Sequence, residues 1–246
     1  MAATTVLMLS SAQAAPTVYN AVTDFSSTSN TDSDTWSYRT STSLAHNGSY
    51  TLLPAYQVFA GFTGSAADTS GWSTGFVPAI GVNRSSSDQY FIGFGPGAQF
   101  TWPAGSLYLH PGSNSLAVVS WLSTGDFSLD IAFQFSDLDT NPSFRDGIDW
   151  SVEKNSGSGA LANGSFANGG NSGSLTVSKV VVAAGDRINF IVGPNSDYQG
   201  DSSRLSAVIT ATPLGSVSPV PEPGSLALWL AGGALLITTK GRRNTR

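Results

Sequence analysis

The chain contains no cysteine, so no disulfide can staple it and no thiolate can bind metal or act as a nucleophile. A chain of 246 residues is long enough to build a sufficient core without such staples. Charge is scarce as well. Asp, Glu, Lys and Arg make up 11% of the residues, against roughly a quarter in an average globular protein. The balance is acidic, with 16 Asp and Glu against 11 Lys and Arg. Four of the bases, Lys240, Arg242, Arg243 and Arg246, fall in the last seven positions. Setting these and Glu222 aside leaves 15 acidic and 7 basic residues, a net charge of −8. Nucleic acid is thereby excluded as a partner, because phosphate binding needs a basic patch. There are only two histidines, His46 and His110, too few for a His-based zinc site with three or four ligands. The body of the chain also lacks any run of ten or more residues with a 3.6-residue apolar period, which argues against a helical fold.

What is present is turn chemistry and alternation. Gly occurs 27 times, and Ser, Thr and Asn are abundant, a composition suited to many short strands. In Ser128–Phe135, Leu129, Ile131, Phe133 and Phe135 alternate with polar or small residues, the pattern of a half-buried antiparallel strand. Ile188–Val192 and Leu205–Ile209 repeat it, and Ile148, Trp150 and Val152 alternate in Gly147–Val152. Ala117–Trp121 is apolar throughout and reads as a strand buried on both faces. Gly125-Asp126, Asp146-Gly147 and Gly185-Asp186 supply turns between these runs. Gly61–Gly75 and Asn155–Gly173 read as long loops or short hairpins, the second with a weak strand near Leu161 and Phe166. Ser27–Asp34 reads as a loop. The fold expected is all-β: a two-sheet antiparallel sandwich, jelly-roll-like. No repeat of fixed period points to a solenoid or propeller.

The two ends carry an address. Residues 1–14 contain a short apolar stretch, Val6–Leu9, and end in Ala12-Gln13-Ala14, an A-x-A cleavage pattern. A basic n-region is missing, so this reads as a truncated signal peptide. An exported domain then spans residues 15–216, and a Pro-rich linker spans 217–224. The uncharged apolar run of residues 225–239 reads as a short transmembrane helix, and the basic tail 240–246 as its cytoplasmic end. Fifteen helical residues span only about 22 Å, short of the ~30 Å hydrocarbon core. Such a segment suits a transient stop better than a lasting anchor.

Pro221-Glu222-Pro223, the apolar segment and Arg242-Arg243 together resemble the PEP-CTERM sorting signal of Gram-negative bacteria. The same tail is catalogued as the C-terminal domain of certain ice-binding proteins. The resemblance implies an exosortase-type processing enzyme as a partner, a transient stay in the inner membrane, and delivery to the cell surface or extracellular matrix and its exopolysaccharide. It covers the tail alone. In the body, Asp24-Phe25-Ser26 with Trp36-Ser37-Tyr38, Leu107–Gly112, Asp146-Gly147-Ile148, Ala184-Gly185-Asp186 and Asp201–Leu205 are similar to bacterial exported sandwich domains of unknown function. Those domains have a shape like that of jelly-roll carbohydrate-binding modules. Asp201-Ser202-Ser203-Arg204-Leu205 departs from that family's usual Asp-Ser-Thr-Gly-Leu.

Candidate chemistry in the body is thin. Gly71-Trp72-Ser73-Thr74-Gly75 fits the nucleophile-elbow spacing, but Phe76-Val77-Pro78 follows it rather than a helix. Glycoside hydrolysis needs two carboxylates at a set separation. Glu153 is the one glutamate of the exported domain, and its position points it to solvent in the alternation of its strand. The expectation is therefore a protein that is not an enzyme. Trp72 and Trp102 lie in Gly/Pro-rich contexts and are the tryptophans to expect as exposed platforms for sugar rings, whereas Trp121 and Trp150 occupy core positions. Asp137, Asp139 and Asn141 offer alternating oxygens of the kind calcium loops use, and Asp24 and Asp201 are further candidates. Pro142 stands at the sixth position, where an EF-hand needs Gly, so any structural calcium would sit in a looser site. A flat, regular Thr array for ice binding is absent from the sequence. The leading expectation is a structural or adhesive component of exopolysaccharide, and the alternative is a carbohydrate-binding module.

Overall fold

The computed structural model describes residues 14–46, 49–93, 100–139 and 146–215. Residues 1–13 of the expected signal peptide, Asn141 and the expected sorting tail, with Pro221, Glu222, Pro223, Arg242 and Arg243, lie outside the described residues. Strands β1 (Thr17–Asn20), β2 (Trp36–Ser41), β3 (Thr51–Leu52), β4 (Ala55–Val58), β5 (Ser70–Ser73), β6 (Ala79–Val82), β7 (Gln89–Tyr90) and β8 (Thr101–Trp102) make up the first half. The second half carries β9 (Leu107–His110), β10 (Leu116–Leu122), β11 (Phe127–Asp137), β12 (Ile148–Lys154), β13 (Ala160–Phe166), β14 (Leu175–Val182), β15 (Arg187–Pro194) and β16 (Ser203–Pro213). No helix occurs among the described residues.

The strands form two antiparallel sheets. The first runs β14-β11-β16-β9-β6-β5-β4, with β1 also paired to β16; the second runs β13-β12-β15-β10-β2-β3. The short β7–β8 pair stands apart from both. From β9 onward every connection changes sheet except the β12–β13 hairpin. The inner faces share one apolar core. Leu129, Ile131, Phe133 and Phe135 of β11 and Leu205, Ala207, Ile209 and Ala211 of β16 lie in the same cluster as Val119 and Trp121 of β10, Phe190 of β15 and Trp150 of β12. Each large apolar side chain so buried contributes roughly 1.5–3 kcal/mol relative to exposure.

The alternation expected in β11 is realised, with Leu129, Ile131 and Phe135 fully buried and Asp130 and Ala132 exposed. β10 is apolar throughout because both its faces are covered. Ala117, Val119 and Trp121 enter the main core, and Leu116 and Val118 pack with Ile191 and Tyr50 on the opposite side. The weak strand in Asn155–Gly173 is a full seven-residue strand, β13, at the edge of its sheet. An edge strand is half solvated, so its polar, Gly-containing sequence fits that place. β2 has no legible alternation, since all six of its residues are buried, polar ones included. Ser27–Asp34 is a loop, held in part by the Asp34 carboxylate, which accepts from Thr31 N–H at 2.7 Å and Ser29 Oγ at 2.8 Å.

Core and rim of the first sheet should respond differently to substitution. Phe135, fully buried and stacked on Trp150 with ring centroids 5.4 Å apart, should cost about 3–5 kcal/mol on change to Ala. Val181→Thr, on the exposed face of β14, should stay within about 0.5 kcal/mol of the parent. Urea unfolding of the two variants checks both.

Candidate ligand site

The outer face of the first sheet is not left to water. In β9, Leu107 and Leu109 point into the core, so Tyr108 and His110 project outward. Phe59, Phe91, Phe100 and Trp102 gather over Tyr108 in a second apolar cluster, with Phe62 packed against them. The rings meet edge to face and stacked: Phe62 lies 5.2 Å from Trp102, and Phe100 lies 5.9 Å from Tyr108 at an interplanar angle of 5°. The sheet surface beneath is cut flat for them. Gly71 and Gly81 are cross-strand partners, and a Cβ on Gly81 would stand 2.9 Å from the Phe59 ring and 3.1 Å from Trp102. The covering segment is tied down by the buried side chain of Asn83, whose amide donates to Trp102 O at 2.9 Å and Ser87 O at 3.0 Å.

A cavity of about 340 Å³ opens beside this cluster, within the ~300–1,000 Å³ typical of small-ligand pockets. Its walls are the aromatic rings of Phe59, Phe62, Phe91, Phe100 and Tyr108. Polar groups enter from His110, Asp139, Gln199 and Ser202, and Tyr198 and the exposed Phe76 add rings. His110 Nδ1 lies 2.6 Å from Pro111 O. A carbonyl can only accept, so Nδ1 carries the proton and Nε2 is left as an acceptor. Burial pushes His110 down to about 4, against the opposing pull of its bond to Pro111. The ring is therefore neutral at pH 7. Tyr108 hydrogen-bonds with the Ser202 side chain, and burial holds its phenol above the ordinary range.

An acidic cluster adjoins this cavity and shares Asp139 with it. Register brings it together: Asp137 of β11 lies opposite Ser203 of β16, and Leu138 N–H donates to Ser202 O at 2.7 Å. Asp137 accepts from the N–H groups of Asp139 at 2.9 Å and Gly169 at 3.0 Å, yet burial still pushes it up to about 6. Asp146 Oδ2 holds the β15–β16 loop by accepting from Asp197 N–H at 2.6 Å and Ser196 N–H at 2.9 Å. Asp201 is fully buried, and neither carboxylate oxygen has a hydrogen-bond partner. Burial, followed by the charges of Asp146, Asp137, Asp197 and Asp139, pushes it up to about 9.

Of the expected calcium residues, the structure brings Asp137, Asp139 and Asp201 together. Asp24 does not join them. It is exposed and committed to its own turn, accepting from Asn20 N–H at 2.8 Å. Asp146 and Asp197 are additions that sequence reading missed, Asp146 having been read only as turn chemistry. No three acidic or histidine side chains among the described residues close on one point within metal-ligand reach.

The expected platforms are corrected. Trp102 has no exposed surface, and its indole N–H donates to Ser106 O at 3.0 Å. It is the floor of the outer aromatic cluster rather than a sugar platform. Trp72 packs against the main core, stacked near Tyr38, with its N–H donated to Ser26 O at 2.8 Å. Their Gly/Pro-rich neighbourhoods marked tight turns and close ring approach, not exposure. Ser73 is fully buried in β5 and its hydroxyl accepts from Gly75 N–H at 3.2 Å, so no elbow presents it.

Glu153 is also corrected. It faces outward from the core, as its strand parity requires, but the segment before β3 covers it and leaves it 2% exposed. Tyr50 Oη donates to it at 2.9 Å, Ser151 Oγ at 3.1 Å, and His46 Nδ1 lies at 2.8 Å. Burial would raise this carboxyl, but those hydrogen bonds together hold it below its ordinary value. Ser151 Oγ also meets His46 through Nδ1, at 3.1 Å. A Ser–His–acid relay needs one ring nitrogen for each partner, and here both partners share one.

No family model and no curated protein matches the chain. Solved family 29 carbohydrate-binding modules align with it weakly. A mutant module covers 62% of this chain and 96% of its own at 13% identity and a TM-score of 0.27. A further family 29 module covers 57% and 88% at 15% identity and 0.26. A mutant complexed with mannohexaose covers 54% and 86% at 13% identity and 0.25. At these scores the likeness carries no argument about this chain's ligand.

The depressed His110 makes a signed prediction. Between its ordinary value of 6.5 and about 4, the unfolded chain takes up a proton that the folded ring refuses. The stability tied to the neutral ring is complete above pH 6.5 and is lost as pH falls through that window. Melting temperatures of the parent should therefore drop relative to His110→Asn from pH 6.5 to 4, and a constant difference would show an ordinary histidine.

Proposed function

We propose that this chain is an exported, non-catalytic module that adheres to extracellular carbohydrate through the aromatic cavity on the outer face of its first sheet. The observation that carries the reading is the composition of that cavity: apolar ring walls with a few converging polar groups, His110, Gln199 and Asp139 among them. Sugar rings offer apolar C–H faces to aromatic side chains and hydroxyls to polar ones, so such a lining suits them. The adhesive role in exopolysaccharide and the sugar-binding role then become one reading, with the matrix polymer as ligand. The strand order β14-β11-β16-β9 against β13-β12-β15-β10 supports taking the sandwich as a jelly roll.

Delivery rests on the tail. Pro221-Glu222-Pro223, the apolar segment 225–239 and Arg242-Arg243 support recognition by an exosortase-type enzyme at the inner membrane, followed by release to the surface or matrix.

Co-sedimentation of the full chain with insoluble polysaccharides and host exopolysaccharide tests the binding. Saturable binding is expected, with Tyr198→Ala weakening it about tenfold, the loss of one ring contact of roughly 1–1.5 kcal/mol. Trp72→Ala should leave affinity unchanged. Failure of the folded chain to bind any glycan would leave a purely structural role. For the tail, replacing Pro221, Glu222 and Pro223 by Ala should leave an unprocessed, membrane-retained chain in the native host. Unaltered release on immunoblots of cell and medium fractions would remove the sorting assignment.

A further inference from the structure

We propose that the acidic cluster centred on Asp201 is a calcium site. Two other buried carboxylates are supplied with donors: Glu153 receives hydrogen bonds from Tyr50 and Ser151, and Asp137 receives two backbone N–H groups. Asp201 differs from both. It is fully buried and both of its oxygens lack a partner. A carboxylate withdrawn from water without donors is strongly disfavoured; it takes up a proton, or it is paired with a cation or a bound metal. The charges that act on Asp201 are those of Asp146, Asp137, Asp197 and Asp139, all of its own sign. Burial and like charge therefore act together against the ionised form of Asp201. A bound cation resolves both problems at once.

The donor set selects the ion. The cluster consists of carboxylate, carbonyl and hydroxyl oxygens, and the chain has no cysteine thiolate to draw a soft metal. The side chains do not close as a complete cage. Calcium accepts that, because it takes 6–8 oxygens in irregular arrangements that include backbone carbonyls and water, whereas magnesium demands near-octahedral order. Asp201 would bind directly, with a neighbouring carboxylate, main-chain oxygens and water completing the shell. The segment that carries Asp197 and Asp201 also carries Tyr198 and Gln199 of the cavity wall, so the ion would brace that wall.

Titration calorimetry of the chelator-stripped full chain with calcium chloride tests the site. One ion per chain is expected, at or below the ~10⁻⁴–10⁻³ M range of extracellular modules. Asp201→Asn should weaken uptake at least tenfold, within the roughly 10–100-fold that disturbing a metal site costs, and Asp24→Asn should not. Calcium should raise the melting temperature of the parent and not of Asp201→Asn, whereas in chelator the variant should melt at or above the parent. If Asp201→Asn does not fold, Asp197→Asn, at an exposed position, carries the same comparison. No uptake by about 1 mM calcium, uptake unchanged in the variants, or an Asp201→Asn variant less stable than the parent in chelator would each overturn the proposal.

Discussion

Strands β11 and β16 pair over their full length, from Phe127 opposite Pro213 to Asp137 opposite Ser203. Their inward residues, Phe133 and Phe135 on one and Leu205 and Ala207 on the other, form the middle of the core. The period of two then leaves no freedom. A slip of one residue would turn every one of these side chains to the wrong face. The same register fixes what happens at the strand ends. Ser203 is held to Asp137, so Asp201 is drawn in beside Asp137 and Asp139, and the start of β16 aligns with β9, placing Tyr108 opposite Arg204. The aromatic cavity and the acidic cluster are both consequences of that one pairing.

Both sheets bury apolar side chains on their outer faces, and the outer cluster of the first sheet is the larger and the aromatic one. One face of that sheet closes the sandwich, and the other carries Phe59, Phe91, Phe100, Trp102 and Tyr108 under a covering segment. Rings that would face water on an ordinary antiparallel sheet here pack on a bed flattened by Gly71 and Gly81. Such a cover is built from loops and the short β7–β8 pair, so it encloses space less completely than a strand-built core. The cavity lies where that cover meets the β15–β16 loop. Polar groups trapped at the junction show it in their ionisation: His110 is pushed down and Asp201 is pushed up, both by burial. On the second sheet, by contrast, Glu153 is just as deeply buried but fully provided with donors.

The all-β class, the strands β11, β12, β15 and β16 and the doubly buried β10 could be read directly from the chain. Their signal is local: alternation within eight residues, or an unbroken apolar run, reports which faces are covered whatever covers them. Trp121 and Trp150 were legible as core for the same reason. β2 and Glu153 were not legible, because polar residues they place outward are covered by the segment around His46 and Tyr50, and alternation cannot tell water from a lid. Trp102 misled for a related reason. Gly and Pro beside it signal tight backbone, and tight backbone can either expose a ring or let other rings close over it.

The sequence by itself determined the strand content, the acidic character of the body and the form of the tail, since each depends only on residue order and type. Tertiary structure decided which polar groups meet. Asp137 and Asp139 were legible as a pair, but Asp201, Asp146 and Asp197 join them only through cross-strand register and one capped loop. The aromatic cavity likewise draws its walls from segments between Val58 and Ser202. Sites of this kind depend on long-range pairing, and the spacing of residues along the chain carries no record of it.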